Sequence, residues 1–248
     1  MKRVLYSIMF ILALVTSINA EVIQNIDVEK DVHKQTLFIQ KVYIEEIDDF
    51  FIYAECSQVL HDPYQAKCYD YGKKTPKFNM YYLNKEIVWS KNIKKRPSFK
   101  NDPRIPKEYQ NNIGCYKYTG TDKGHLLADA NFDFNWDILK TAYLMSNIAP
   151  EYAYVNRYVV SKMERVERNL AKEEPIIVIS GIVGDRGHLQ GREECPIIPQ
   201  KIYKRIYKKD SKTGKWKLYL IMEADNDPEN KEYKTIDPNR NNVDINIK

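Results

Sequence analysis

Hydrophobic periodicity divides this chain into several strands and one well-marked helix. Pro175-Ile-Ile-Val-Ile-Ser-Gly181 is an uninterrupted β-branched run with stops at both ends, the pattern of a buried strand. Residues 77–83 and 86–89 are aromatic-rich and loosely alternating, and predict two strands joined around Asn84-Lys85. Residues 200–207 and 216–223 predict a further pair, joined by a turn over 209–214. Val159, Met163, Val166 and Leu170 instead fall at i, i+4, i+7 and i+11, the apolar stripe of an amphipathic helix. Arg157, Lys162, Arg165, Glu167 and Arg168 occupy the rest of its surface.

The intervening stretches are less patterned. Residues 61–77 hold two prolines and a glycine and predict a loop-rich segment, and the basic stretch 91–110, with Pro97, Pro103 and Pro106, predicts an extended surface loop. Residues 184–196 also predict a loop. The chain from Asn226 onward predicts irregular or frayed structure. Residues 50–54 suit a short buried strand, while 31–47 fit either a helix or irregular structure. With no internal repeat and no dividing linker, residues 21–248 are expected to form one α+β domain.

The first twenty residues change the expected compartment. Lys2 and Arg3 precede an apolar run over 4–15 broken only by Ser7, and small residues follow up to Ala20. This is the pattern of a signal peptide over 1–20, cleaved after Ala20. The run is shorter than the roughly 20 residues of a spanning helix. The mature chain is therefore expected to be secreted or periplasmic, with no membrane partner. Cleavage removes two basic and no acidic residues, taking the formal charge from +5 to +3. So small a net charge does not by itself imply a polyanionic partner. The clusters say more: Lys91, Lys94, Lys95, Arg96 and Lys100 form one, and 201–217 holds eight basic residues against Asp210 alone. Four cysteines without a C-x-x-C pair favour disulfides over a zinc site in an exported chain. Three pairings are possible. A local Cys56–Cys68 loop with Cys115–Cys195 as a long-range staple is the favoured one.

Candidate chemistry is concentrated in residues 121–170. His125 follows Asp-Lys-Gly, Asn147 and Asn156 lie on either side of Pro150, and Glu164 comes eight residues after Asn156. Eight helical residues are about two turns, so these two side chains differ by only ~80° around the axis and can border one site. Taken singly, each has a simpler explanation: a helix cap for Asn156, an i,i+4 pair with Arg168 for Glu164. Taken together they form a base, a hard-metal ligand and their supports. Magnesium prefers oxygen ligands and needs few protein groups, a nearby carboxylate can orient its waters, and a neutral histidine can deprotonate one near pH 7. Phosphodiester hydrolysis requires these parts and a cation for the transition state, which the loop around Arg96 can supply.

These residues resemble the DNA/RNA non-specific endonucleases of the ββα-metal (His-Me finger) fold. The family pattern D-R-G-H, S-N-x-x-P-Q, a helix-opening N and an E eight residues on is similar to Asp122-Lys-Gly-His125, Ser146-Asn-Ile-Ala-Pro-Glu151, Asn156 and Glu164. Val178-Ile-Ser-Gly181, Ile198-Pro199 with Tyr203-Lys204, and the segment around Arg96 resemble further family elements, so that the likeness is strongest over 77–223. The resemblance implies a central, mostly antiparallel sheet flanked by helices, stabilised here by disulfides. It implies that His125 is the general base and Asn156 the direct ligand of Mg2+, with Mn2+ able to substitute. Glu164 would hold the ion's waters, Asn147 would position His125, and Arg96, or else Arg104, would face the phosphate. Lys95, Lys123 and Arg157 are the expected substrate contacts, and DNA and RNA the expected partners through their phosphate backbone, leaving 5′-phosphate ends.

Four positions depart from the family: Lys123 for arginine, Ala128 for proline, Glu151 for glutamine and Val160 for tryptophan. Lys123, Ala128 and Val160 motivate a second reading, a nucleic-acid-binding or interaction module built on a weakened nuclease fold. Asp185-Arg-Gly-His188 matches the family tetrapeptide better by letters than the 122–125 segment does. No asparagine follows it before Asn226 and no amphipathic helix succeeds it, so His188 is expected to be a loop residue. His33 and His61 lack any supporting constellation and are expected at the surface.

Overall fold

Seven antiparallel strands form the main sheet of the computed structural model, which describes residues 56–90 and 92–238. The expected signal segment, the segments 31–47 and 50–54, and His33 lie outside the described residues. The strands run in the order β1 (Gln58–Asp62), β2 (Gln65–Asp70), β3 (Thr75–Leu83), β6 (Ile176–Val183), β7 (Lys201–Lys209), β8 (Trp216–Asp225) and β9 (Lys234–Ile236). β6, the β-branched run, sits between β3 and β7 and is buried over most of its length, as its pattern requires. One core cluster joins Ala66, Cys68, Phe78, Met80, Ile177, Ile179, Tyr207 and Trp216.

A separate hairpin of β4 (Thr121–His125) and β5 (Ile148–Tyr152) leads directly into the helix the stripe predicts. That helix begins with a π-helical turn, Val155–Val160, and continues as the α-helix Ser161–Glu173. Val155, Val159, Met163 and Val166 are buried along it, whereas Leu170 at the end of the stripe is only half-buried. π-helical turns are uncommon and concentrate at functional positions. This one contains Asn156, which therefore lies inside the first turns and is not the helix cap.

Three expectations are corrected. Residues 86–89 do not form a strand; Lys85–Val88 is a short helix, α1, because the Asn84 side chain accepts from the Ile87 N–H at 3.0 Å and caps it. The segment 61–77 is not loop-rich, since β1 and β2 pair through the two-residue turn Pro63-Tyr64. Tyr64 takes φ +71°, and its buried ring packs on Phe132 and Phe134, which compensates an unfavourable backbone. Finally, the tail past Asn226 contributes β9 against β8. The favoured cysteine pairing is present, with Cys56–Cys68 closing a local loop and Cys115–Cys195 spanning 80 residues.

Candidate active site

His125 closes β4, directly opposite Ile148 on β5. Its ring stands edge-on to Tyr143 (centroids 5.0 Å apart) and tilted against Phe99 (5.4 Å). Nε2 is buried with no hydrogen-bond partner. Burial, reinforced by the charge of Arg96 and opposed by that of Asp129, lowers its pKa to about 4. The imidazole is thus neutral near pH 7, the form that can accept a proton.

Asn147 anchors the chain immediately after His125. It is fully buried, accepts the Leu127 N–H at 3.0 Å, and donates to Leu127 O at 3.0 Å and Ala142 O at 2.8 Å. Asn79 on β3 also donates to its side-chain oxygen, tying the main sheet to the hairpin. A second tie comes from β7. Lys204 is fully buried, donates to Tyr81, Ser180 and the Leu126 carbonyl, and pairs with Glu167 at 3.2 Å. Glu167 in turn accepts from Tyr81 at 2.9 Å and Asn131 at 2.6 Å. The Leu126 carbonyl is thereby held by Lys204 of β7, and the Leu127 carbonyl by Asn147, which Asn79 ties to β3.

Asn156 donates its amide to Asp122 at 3.1 Å, with Arg157 chelating the same carboxylate at 2.8 and 2.9 Å. With its nitrogen so committed, the Asn156 carbonyl oxygen is left as a hard donor for a cation. Glu164, two turns on, makes no hydrogen bond or ion pair among the described residues, and burial raises its pKa to about 7. Asp129 lies within electrostatic reach of both Glu164 and His125, which places the helix and the end of β4 around one centre.

Arg96, not Arg104, belongs to this centre. Arg96 pairs with Asp129 at 2.8 Å and Asp133 at 2.9 Å, and donates to the Ile93 carbonyl. Tyr143, which also touches His125, donates to Asp129 at 2.8 Å. Arg104 is committed elsewhere, to Asp102 at 2.6 Å and Asp62 at 3.0 Å, in a network with the buried Lys67. Ser146 joins that network by donating to Asp102 at 2.6 Å, which explains the serine before Asn147. Lys123 lies over the rings of Phe99 and Tyr116, 5.3 Å from each centroid, retaining the charge of the family's arginine while stacking on aromatics. Lys95 is exposed, whereas Arg157 is engaged by Asp122. Ala128 and Val160 are both buried.

Asp185-Arg-Gly-His188 is built differently. His188 Nδ1 bonds to the Cys195 carbonyl at 2.6 Å in the loop stapled by Cys115–Cys195, beside a shallow depression lined by Gly72, Lys74, Glu193 and Glu194. None of the asparagine or helix groups reaches it. His61 is exposed. Asp122 orients Asn156, and Asp129, Asp133 and Tyr143 surround Arg96, yet nothing in the sequence marks these groups for those roles. Asp122 alone carried a signal, as the first letter of the tetrapeptide.

The charge pattern gives a pH dependence whose sign can be worked out. Glu151 and Glu164 have folded pKa values raised by burial to about 8 and about 7, so their contribution to stability is fully present below the free glutamate value and is lost as pH rises through 7 to 8. His125 is lowered, so its effect is confined to pH below the free histidine value. In EDTA the unfolding free energy should therefore fall between about pH 6.5 and pH 8, by up to about 1.4 kcal/mol per pH unit for each proton released on unfolding, and the melting temperature with it. Calorimetry of the wild type against Glu164→Gln checks this, the variant being expected to show the shallower slope.

A short antiparallel hairpin running into a helix, with histidine at the strand end and asparagine in the first turns, is the arrangement of the ββα-metal (His-Me finger) fold. The chain belongs to the DNA/RNA non-specific endonuclease family, whose profile matches residues 51–246. It is 30% identical over 117 residues to the mitochondrial nuclease EXOG of Xenopus laevis, covering 47% of this chain and 33% of that protein. It is 23% identical over 105 residues to human mitochondrial endonuclease G, covering 42% and 35%. The match thus spans about a third of these curated relatives. Among solved structures, the fold is similar to a chain from the crystal structure of the EndoG/EndoGI complex, with TM-score 0.59 and 20% identity over 68% of this chain and 74% of that one.

Proposed function

We propose that this chain is an exported endonuclease that hydrolyses DNA and RNA phosphodiester bonds without reading sequence, uses Mg2+ or in its place Mn2+, and leaves 5′-phosphate ends. The observation that carries the reading is a neutral histidine with an unpartnered ring nitrogen, within electrostatic reach of the same Asp129 as the helix that offers an asparagine oxygen and a glutamate unpaired among the described residues. Asn156 would hold the ion and Glu164 its waters; when bound, it supplies positive charge to a phosphodiester oxygen. His125 takes the proton of the attacking water. Arg96 faces the phosphate once Asp129 shares it, and Asn147 with Lys204 keeps the backbone after His125 fixed. The two disulfides support an oxidising compartment.

Ion pairing redistributes the expected substrate track. Within 201–217, Lys201, Lys204, Lys208 and Lys217 each have an acidic partner. Lys94, Lys95 and Lys100 are exposed near Arg96 and make no salt bridge among the described residues, so they carry more of the phosphate contact. Purified mature protein should degrade plasmid DNA and RNA in Mg2+, stop in EDTA, and slow steeply with salt as counterions compete. Lys95→Ala should reduce the slope of log affinity against log salt by about 1. A wild type that binds nucleic acid but cuts none under any divalent ion would establish the binding-module reading instead.

A further inference from the structure

Glu151 is the one family departure that places a new charge inside the site. It is fully buried, and neither carboxylate oxygen has a hydrogen-bond partner. It stands opposite Asp122 in the β4–β5 register, and Asp122 is the group that holds Asn156. Its carboxyl group lies across Gly124, where an added Cβ would come within 2.2 Å of the Glu151 Cδ. The glycine of the tetrapeptide is therefore the opening through which this side chain passes, and the carboxylate is directed inward rather than to solvent.

Among the described residues, the cation that acts on it, Lys204, is already engaged. Lys204, Asp122 and Glu164 are its electrostatic neighbours. Lys204 donates to Tyr81, Ser180 and Leu126 and pairs with Glu167, while Arg157 is engaged by Asp122. Arg168, near Glu164, donates to Asn131. Glu151 and Glu164 are thus two neighbouring acidic side chains without an ion-pair partner among the described residues, Glu151 opposite the Asp122 that holds Asn156 and Glu164 on the helix that carries Asn156. A buried ionised carboxylate accepts hydrogen bonds only, and leaving it without donors is costly. Glutamine in the same place could both donate and accept. Metal-bound waters are donors, and a divalent ion carries the charge that balances two carboxylates. No three metal-ligating His, Cys, Asp or Glu side chains converge among the described residues, which favours contact through water over direct ligation.

We infer that Glu151 is a second carboxylate of the metal centre, accepting hydrogen bonds from the water shell of the divalent ion beside Glu164. This rests on the metal-centre reading above, and the experiment separates the two. Mn2+ binding to intact protein without nucleic acid is measured by calorimetry and by paramagnetic resonance of the free ion. Glu151→Gln should weaken Mn2+ binding about tenfold, as loss of a group orienting ligands does, and Glu164→Gln comparably. Above about pH 8, where Glu151 ionises, metal-free Glu151→Gln should also melt above metal-free wild type, because an unpartnered charge is gone, and at any pH it should gain less from Mn2+. Glu151→Asp, which keeps the charge, should retain more affinity than the glutamine variant. Undiminished Mn2+ binding by Glu151→Gln would overturn the inference and leave the metal centre standing. A wild type that binds no divalent ion would overturn both.

Discussion

Replacing His125 with alanine should lower the rate of plasmid cleavage by about 10²–10⁴-fold, the usual contribution of a positioned general base. Mn2+ binding should be unchanged, because the histidine is not among the groups expected to hold the ion. His188→Ala should leave cleavage within about twofold of wild type. The contrast is the point. His188 carries the better match to the family tetrapeptide, yet its Nδ1 is engaged by the Cys195 carbonyl, whereas the His125 Nε2 has no partner. Two further observations separate loss of a base from loss of packing, since the ring also touches Phe99 and Tyr143. Added imidazole should restore part of the His125→Ala activity, and the melting temperature should fall by only a few degrees. If His188→Ala were the variant that lost cleavage, the site would be wrongly assigned.

Breaking the Cys115–Cys195 staple should be the most destabilising change outside the main sheet. It closes an 80-residue loop, and chain-entropy reasoning gives about 4–5 kcal/mol for a loop of that length. For a domain of this size the melting temperature should drop on the order of 10 °C in a Cys115→Ser/Cys195→Ser double variant. Both sulfurs are buried in a cluster with Tyr116, Met145, Ile148 and Leu189, so packing is lost as well. Ile148 is the β5 partner of His125, which connects this staple to the geometry of the base. The 12-residue Cys56–Cys68 loop should be worth less, about 3 kcal/mol by the same reasoning. Urea unfolding of the two double variants checks the order. Equal losses would mean that loop length does not govern the staple.

What could be read from the sequence follows how local each signal was. The helix over 159–170 was legible because its stripe is a local repeat, and β6 because a β-branched run bounded by Pro175 and Gly181 has few other uses. The short helix Lys85–Val88 was missed because one asparagine cap outweighed aromatic content that reads as strand. The hairpin β1–β2 was missed because its turn uses Tyr64 at positive φ, a conformation stabilised by rings far along the chain. At the candidate site, spacing picked out His125, Asn147, Asn156 and Glu164. Arg96 and Arg104 looked alike in sequence, and only the carboxylates around them tell them apart: Asp129 and Asp133 for one, Asp62 and Asp102 for the other. Such pairings are set by tertiary contacts that no local pattern encodes. Lys204 was visible only as a letter in a strand, and its burial beneath the site was not.

The buried Asn226 side chain donates to the Pro150 and Pro199 carbonyls at 3.0 Å each and accepts the Tyr152 N–H at 2.9 Å. It thus completes the outer edge of β5 from a part of the chain well beyond the hairpin and helix. A minimal fragment cut to the hairpin–helix module would expose those peptide groups to water. It would also lose the sheet strands that fix Asn147 and the Leu126 carbonyl. The chemistry here is local in sequence while its scaffold is not, so portability of this module to another protein would require grafting the supporting amides along with it.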